Sequence, residues 1–132
     1  MNKKIVVIDD DQFDISMLRR GFEAADVEIE LVSVIDSSRA VCVIRDENPD
    51  LAVVDLSMPH PNGFVVLAEV RADAQISHLK AMILSGSTSV HDEQKAHQLG
   101  ANWYRVKPET LQGYRLLAAE IGEFAAAAPS QK

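Results

Sequence analysis

Short apolar runs rich in β-branched residues recur at Ile5–Ile8, Ile29–Val34, Leu51–Val54 and Met82–Leu84, and a mixed aromatic run follows at Trp103–Val106. Each is too short for a helix, so they predict five strands. Between them apolar residues fall at helical spacing: Ile15, Leu18 and Phe22; Ala40, Val41 and Ile44; Phe64, Leu67 and Ala68; and Tyr114, Leu117, Ala118 and Ile121. The segment Val90–Leu99 offers only Val90, Ala96 and Leu99 as an apolar stripe and predicts the weakest helix. Asn48–Pro49 should end the second helix, and Gly100 the fourth. Strand–helix alternation, repeated five times with strands apolar almost throughout, predicts an α/β fold. Its five-stranded parallel sheet is doubly wound, with helices on both faces, because parallel strands need long crossovers that bury both sides.

The length, 132 residues, suits one domain, placed here at residues 1–125, with a disordered tail at 126–132 where alanines give way to Pro129 and polar residues. Twenty acidic against 13 basic residues give a formal charge of −7, with no dense Lys/Arg stripe to neutralise a phosphate backbone, so direct nucleic-acid binding is not expected. No early apolar run reaches the length of a signal peptide or membrane span, which places the protein in the cytoplasm. The lone cysteine, Cys42, lies among Val41, Val43 and Ile44 and reads as a small core side chain, while the scattered His60, His78, His91 and His97 read as surface residues.

Charge placement changes this picture from a fold to a site. Asp9, Asp10 and Asp11 follow the first strand directly, with Asp14 one turn into the first helix. A like-charge pair at about 4 Å costs on the order of 4 kcal/mol at an effective dielectric near 20, so something must offset the repulsion. The helix N-terminus supplies part of it, and Asp11 can cap that helix. Asp55 ends the third strand, Ser85 the fourth and Lys107 the fifth, so each polar group falls at the carboxyl edge of a parallel sheet, where ligand sites of open α/β folds form. A carboxylate attacking a phosphoryl group meets anion–anion repulsion that a divalent cation would relieve. Mg²⁺ suits the donors available: Asp10, Asp55 and a backbone carbonyl near Ser57. Lys107 could pair with one phosphoryl oxygen, and Ser85 could donate a hydrogen bond to another.

The segments Ile8–Asp11, Asp55 with Met58–Pro59 and Gly63, Leu84–Gly86, and Tyr104 with Lys107–Pro108 resemble those of response-regulator receiver domains, and the resemblance runs from Lys3 to about Phe124. It implies a flavodoxin-like (βα)5 fold and a role in two-component signalling. It further implies that Asp9 and Asp10 bind the metal, Asp55 accepts the phosphoryl group, Lys107 is the catalytic lysine, and Ser85 and Tyr104 are the switch pair. On switching, Ser85 would move toward the phosphoryl group and Tyr104 would turn inward. The implied partner is a sensor histidine kinase or a phosphotransfer protein. Gln12–Asp14, Val34–Ser38 and Gly100–Tyr104 resemble the single-domain regulators that partner bacterial phytochromes, which points to a bacteriophytochrome kinase.

Other readings fit less well. A phosphatase or phosphotransferase of the haloacid-dehalogenase type needs a second Asp two residues after its nucleophile, and Ser57 stands there. Dinucleotide binding needs a glycine-rich loop where Asp9–Asp11 stand. A receiver used as a phosphorylation-independent interaction module stays open. If the chain signals without an output domain, a surface must carry the message. The face of the fourth helix, fifth strand and last helix is the candidate, with Trp103, Leu117, Ile121 and Phe124 as interface residues and a homodimer as one use.

Overall fold

A computed structural model describes residues 2–59 and 61–127. The chain forms β1 (Lys3–Ile8), α1 (Gln12–Ala25), β2 (Ile29–Val34), a 3-10 turn at Ser37–Arg39, α2 (Ala40–Glu47), β3 (Leu51–Asp55), α3 (Gly63–Ala72), β4 (Ala81–Ser85), α4 (Val90–Gln98), β5 (Trp103–Val106) and α5 (Leu111–Ala126). All five strands are parallel in the order β2-β1-β3-β4-β5, the doubly wound flavodoxin-like arrangement. The order reverses between β1 and β3, and their carboxyl ends are the place where open sheets of this kind bind ligands.

Alternation along the strands divides the core into two layers. Val6, Ile8, Ala52, Val54 and Ile83 face α2, α3 and α4, whereas Ile5, Val7, Leu51, Val53, Met82 and Leu84 face α1 and α5. Helix ends follow local chemistry. Asp11 caps α1 by accepting from the N–H groups of Phe13 and Asp14. Asn48 ends α2 in the left-handed region (φ 48°) just before Pro49, and Gly100 (φ 103°) follows α4. Despite its thin stripe α4 forms, capped by Ser89 with Asp92 and Glu93 in its first turn.

Two expectations need correction. Cys42 is exposed, because Ala40 and Ile44, four residues apart, form the buried face of α2 and turn Cys42 away from it. On α3 the buried face is Val66, Leu67 and Val70, and Ala68 is exposed. The helix α5 runs through Ala126, one residue into the expected tail; Lys80 Nζ donates to the carbonyls of Phe124, Ala125 and Ala127 and satisfies the helix end. The rest of the expected tail, 128–132, lies outside the described residues, as does His60. Among the described residues, no helix is long and apolar enough to cross a membrane.

Candidate functional site

Asp9, Asp10, Asp55, Ser85 and Lys107 meet at the carboxyl edge of the sheet. Asp55 is the last residue of β3 and only 4% exposed, and Asp9, directly after β1, is 3% exposed. Asp10 is exposed, and one carboxylate oxygen from each of these three aspartates lies within 4.8 Å of the others. Lys107 brings the only cation recorded within ion-pair distance of Asp9 and Asp55 among the described residues. Its Nζ is 3.1 Å from Asp9 Oδ2, 3.3 Å from Asp55 Oδ1 and 2.6 Å from Asp14 Oδ2. The ammonium is drawn down by the backbone, since the Lys107 N–H donates to the Ser85 carbonyl and keeps the chain beside β4 for one residue past β5.

One ammonium does not balance this many acids. Burial pushes the Asp9 carboxyl up from 3.8 to about 6; the Asp55 charge adds to the rise, against the Asp11 N–H and Lys107, which lower it. Burial would lower Lys107, but its hydrogen bond to Asp14 and the charges of Asp9 and Asp55 outweigh that and raise it, so it stays a cation. A buried anion that favours its proton, beside two further carboxylates and open to solvent at Asp10, is a donor set that a hard divalent cation would relieve. All the side-chain donors are oxygens, which fits Mg²⁺ or Mn²⁺ and disfavours softer metals.

Hydrogen bonds from the backbone anchor both ends of the stretch between β3 and α3. The Ser57 N–H donates to Asp55 Oδ1 at 3.3 Å, and the Gly63 N–H donates to the Leu56 carbonyl at 3.2 Å. A Cβ on Gly63 would run into the Asp55 carbonyl oxygen and come within 2.8 Å of Leu56 Cα, so only glycine lets α3 start this close to the reactive strand end.

Ser85 and Tyr104 lie toward the other layer. Ser85 is fully buried, its Oγ accepts from the Ser87 N–H at 3.1 Å, and the Tyr104 hydroxyl donates to the Ser87 carbonyl at 2.9 Å. Tyr104 is thus already inward, 6% exposed, the position the resemblance associates with switching. Ser87 was not singled out from the sequence, yet its two backbone groups link both switch residues, and its Oγ binds Asp92 in α4 at 2.6 Å. Nothing in a Ser-rich loop marks it. Asp14 was read as one more acid of a repelling cluster; its position one turn into α1 was the signal, and its partner 93 residues away was not legible.

The interface residues divide differently from expectation. Leu117 and Ile121 are buried against β-strand residues and α1, so they cannot meet a partner. They fill the core stripe of α5 together with Tyr114 and Ala118. Trp103 and Phe124 are half-buried and stack on each other at 3.9 Å with planes 7° apart, joining β5 to α5 within the chain. The large apolar side chains of α4, β5 and α5 that are exposed are instead Val90, Val106, Leu111 and Leu116.

Comparison with known proteins agrees with the geometry. The response regulator receiver domain matches residues 5–118. A probable transcriptional regulator ycf27 of Porphyridium aerugineum is 32% identical over 108 residues, covering 80% of this chain and 42% of the relative; the chain thus spans less than half of that protein. The phosphorylated cyanobacterial phytochrome response regulator RcpA superposes with a TM-score of 0.85 at 28% identity, covering 98% of each chain. The response regulator RPA3017 in red light signalling of R. palustris gives 0.84 at 26% identity, covering 98% of this chain and 99% of its own. Receiver domains are response regulators rather than enzymes that turn over outside substrates. With its acids, lysine and hydroxyl gathered on the edge of a five-stranded doubly wound sheet, this chain belongs to the response regulator receiver domain family.

Proposed function

We propose that the protein acts by itself as a cytoplasmic response regulator, taking a phosphoryl group on Asp55 from the phosphohistidine of a sensor histidine kinase or a phosphotransfer protein. The observation that carries this reading is the buried Asp55 at a strand end, with Lys107 Nζ 3.3 Å from its Oδ1 and the carboxylates of Asp9 and Asp10 alongside. An Asp55 oxygen forms the O–P bond as the N–P bond of the donor breaks, and the electron pair stays on the imidazole nitrogen, which is then protonated. Lys107 pairs with a phosphoryl oxygen as charge builds there, and the Ser85 hydroxyl donates to another. Asp9, Asp10, Asp55 and the backbone carbonyl of Ser57 would hold Mg²⁺, which supplies charge neutralisation between the acids and the phosphoryl oxygens. In hydrolysis water forms the new bond to phosphorus as the O–P bond to Asp55 breaks; Asp55 leaves as carboxylate with the electron pair, and the water's proton stays on the inorganic phosphate or passes to solvent. The chain therefore catalyses only its own phosphorylation and dephosphorylation.

The message leaves through Ser87. When Ser85 turns its hydroxyl to a phosphoryl oxygen, the bond from the Ser87 N–H is disturbed, and with it the carbonyl that holds Tyr104 and the Oγ that holds Asp92 of α4. A small local change of this kind biases an existing equilibrium of the α4–β5–α5 face. A bacteriophytochrome as the kinase is supported by the likeness to RcpA and RPA3017 over nearly their whole lengths.

Acetyl phosphate tests the reading. Incubated with Mg²⁺ or Mn²⁺, the protein should gain one phosphoryl group by intact mass, and Asp55→Asn should gain none. The same adduct on Asp55→Asn, or full modification in excess chelator, would refute it.

A further inference from the structure

The shortest contact of Lys107 is with none of the three aspartates that could hold a cation. Asp14 Oδ2 accepts from its Nζ at 2.6 Å, against 3.1 Å for Asp9 and 3.3 Å for Asp55. Asp14 reaches the site from a separate element, the first turn of α1, beside the Asp11 cap. That helix can close on α5 because position 21 is glycine; a Cβ there would collide with the backbone carbonyl of Tyr114. Asp14 is only partly buried, and its carboxylate is anchored by the fold rather than by a flexible loop.

The arrangement matters once a cation occupies the site. Asp9 and Asp55 then serve both the cation and Lys107, and the cation's two positive charges repel the ammonium from the same pocket. Without a further anion Lys107 would swing out to solvent, as long flexible lysines do when their partners are taken. We propose that Asp14 is the positioning residue of Lys107: it tethers the ammonium to α1 while Asp9 and Asp55 are engaged with the cation, and so keeps Nζ beside the phosphoryl group that joins Asp55. This rests on Asp55 being the phosphoryl acceptor. With acetyl phosphate as donor, an Asp55 oxygen forms the new O–P bond while the P–O bond to acetate breaks; acetate leaves with the electron pair, and no proton moves. Lys107 acts on the phosphoryl oxygens during that exchange, so its placement enters the rate even when the cation site is saturated.

The test is a double-mutant cycle of Asp14→Asn and Lys107→Met, with the phosphorylation rate from acetyl phosphate followed at saturating Mg²⁺ and thermal unfolding run on each variant. Asp14→Asn should slow phosphorylation by about tenfold, the scale of losing a partner that orients a site group. In the Lys107→Met background it should change the rate by less than about twofold, because the group it positions is gone. Equal slowing in both backgrounds would overturn the proposal, since Asp14 would then act through the fold or the field at the metal. A wild-type rate for Asp14→Asn would overturn it as well. Should Asp14→Asn not fold, Asp14→Ser carries the same cycle. Failure of the underlying reading looks different: the wild type would take up no phosphoryl group, or Asp55→Asn would keep it.

Discussion

Asp9 makes the sharpest demand on stability. Its side chain is buried between β1 and the Asp55 carboxylate, and its carboxyl keeps its proton up to about pH 6 instead of 3.8. Holding it as an anion at pH 7.5 in the metal-free protein therefore costs about 3 kcal/mol, at 1.36 kcal/mol per pH unit, which solvent entering at the exposed Asp10 reduces to about 2 kcal/mol. Asp9→Asn removes that charge and keeps the oxygen that accepts from the Asp11 N–H at 2.9 Å, while giving up the contact with Lys107 at 3.1 Å, which the figure already includes. For a chain of this size the gain corresponds to a rise in melting temperature of about 6–10 °C in chelator at pH 7.5. The sign with pH is set by an acid whose folded pKa is raised. Its stabilising protonation is complete below 3.8 and is lost as pH rises through about 6, so the advantage of Asp9→Asn should fall below about 1 kcal/mol at pH 4.5. Circular-dichroism melts of both proteins at the two pH values measure this. A variant that melts at or below the wild type at pH 7.5, or an advantage unchanged at pH 4.5, would refute the reasoning.

The same proton competes with the metal. Mg²⁺ affinity measured by calorimetry should be steady above about pH 7 and fall up to tenfold per pH unit below about 6, and equal affinities at pH 7 and pH 5 would count against Asp9 as a ligand. Gly63→Ala forces a Cβ against the Asp55 carbonyl and should destabilise the protein by about 1–3 kcal/mol in chemical denaturation, with slower uptake from acetyl phosphate; wild-type values for both would mean the loop yields freely. Light scattering with the phosphoryl mimic beryllofluoride should show a dimer that Val106→Arg abolishes, since Val106 is exposed on β5. A wild type that stays monomeric at high concentration in both states would leave the homodimer without support.

Most of the architecture was legible in period alone. The second and fifth strands, Ile29–Val34 and Trp103–Val106, have the bounds their apolar runs indicate although both lie at sheet edges and are only partly buried, whereas the central strands run one or two residues beyond theirs. The edge acids, Ser85 and Lys107 were legible for a topological reason: each follows an apolar run, and all such ends share one edge. What failed required knowing which face of a helix turns inward. Leu117 and Ile121 fit both the apolar stripe of the last helix and a partner face; they belong to the core because α5 packs on both the sheet and α1, leaving Leu116 outside. Cys42 had apolar neighbours yet stands on the outer side of α2. Asp14 and Ser87 act through a partner 93 residues away and through backbone groups respectively, and neither leaves a periodic trace.

The central claim is that Asp55 is the residue that carries the phosphoryl group, and locating the adduct tests it most directly. Protein treated with acetyl phosphate and Mg²⁺ is reduced with borohydride, which converts an aspartyl phosphate to homoserine, then digested and sequenced by mass spectrometry. The account places the modified residue at position 55, in the peptide that contains Leu51–Ser57. Homoserine at Asp9, Asp10 or Asp14 with position 55 unaltered, or none at any aspartate under conditions that modify a known receiver domain, would contradict it.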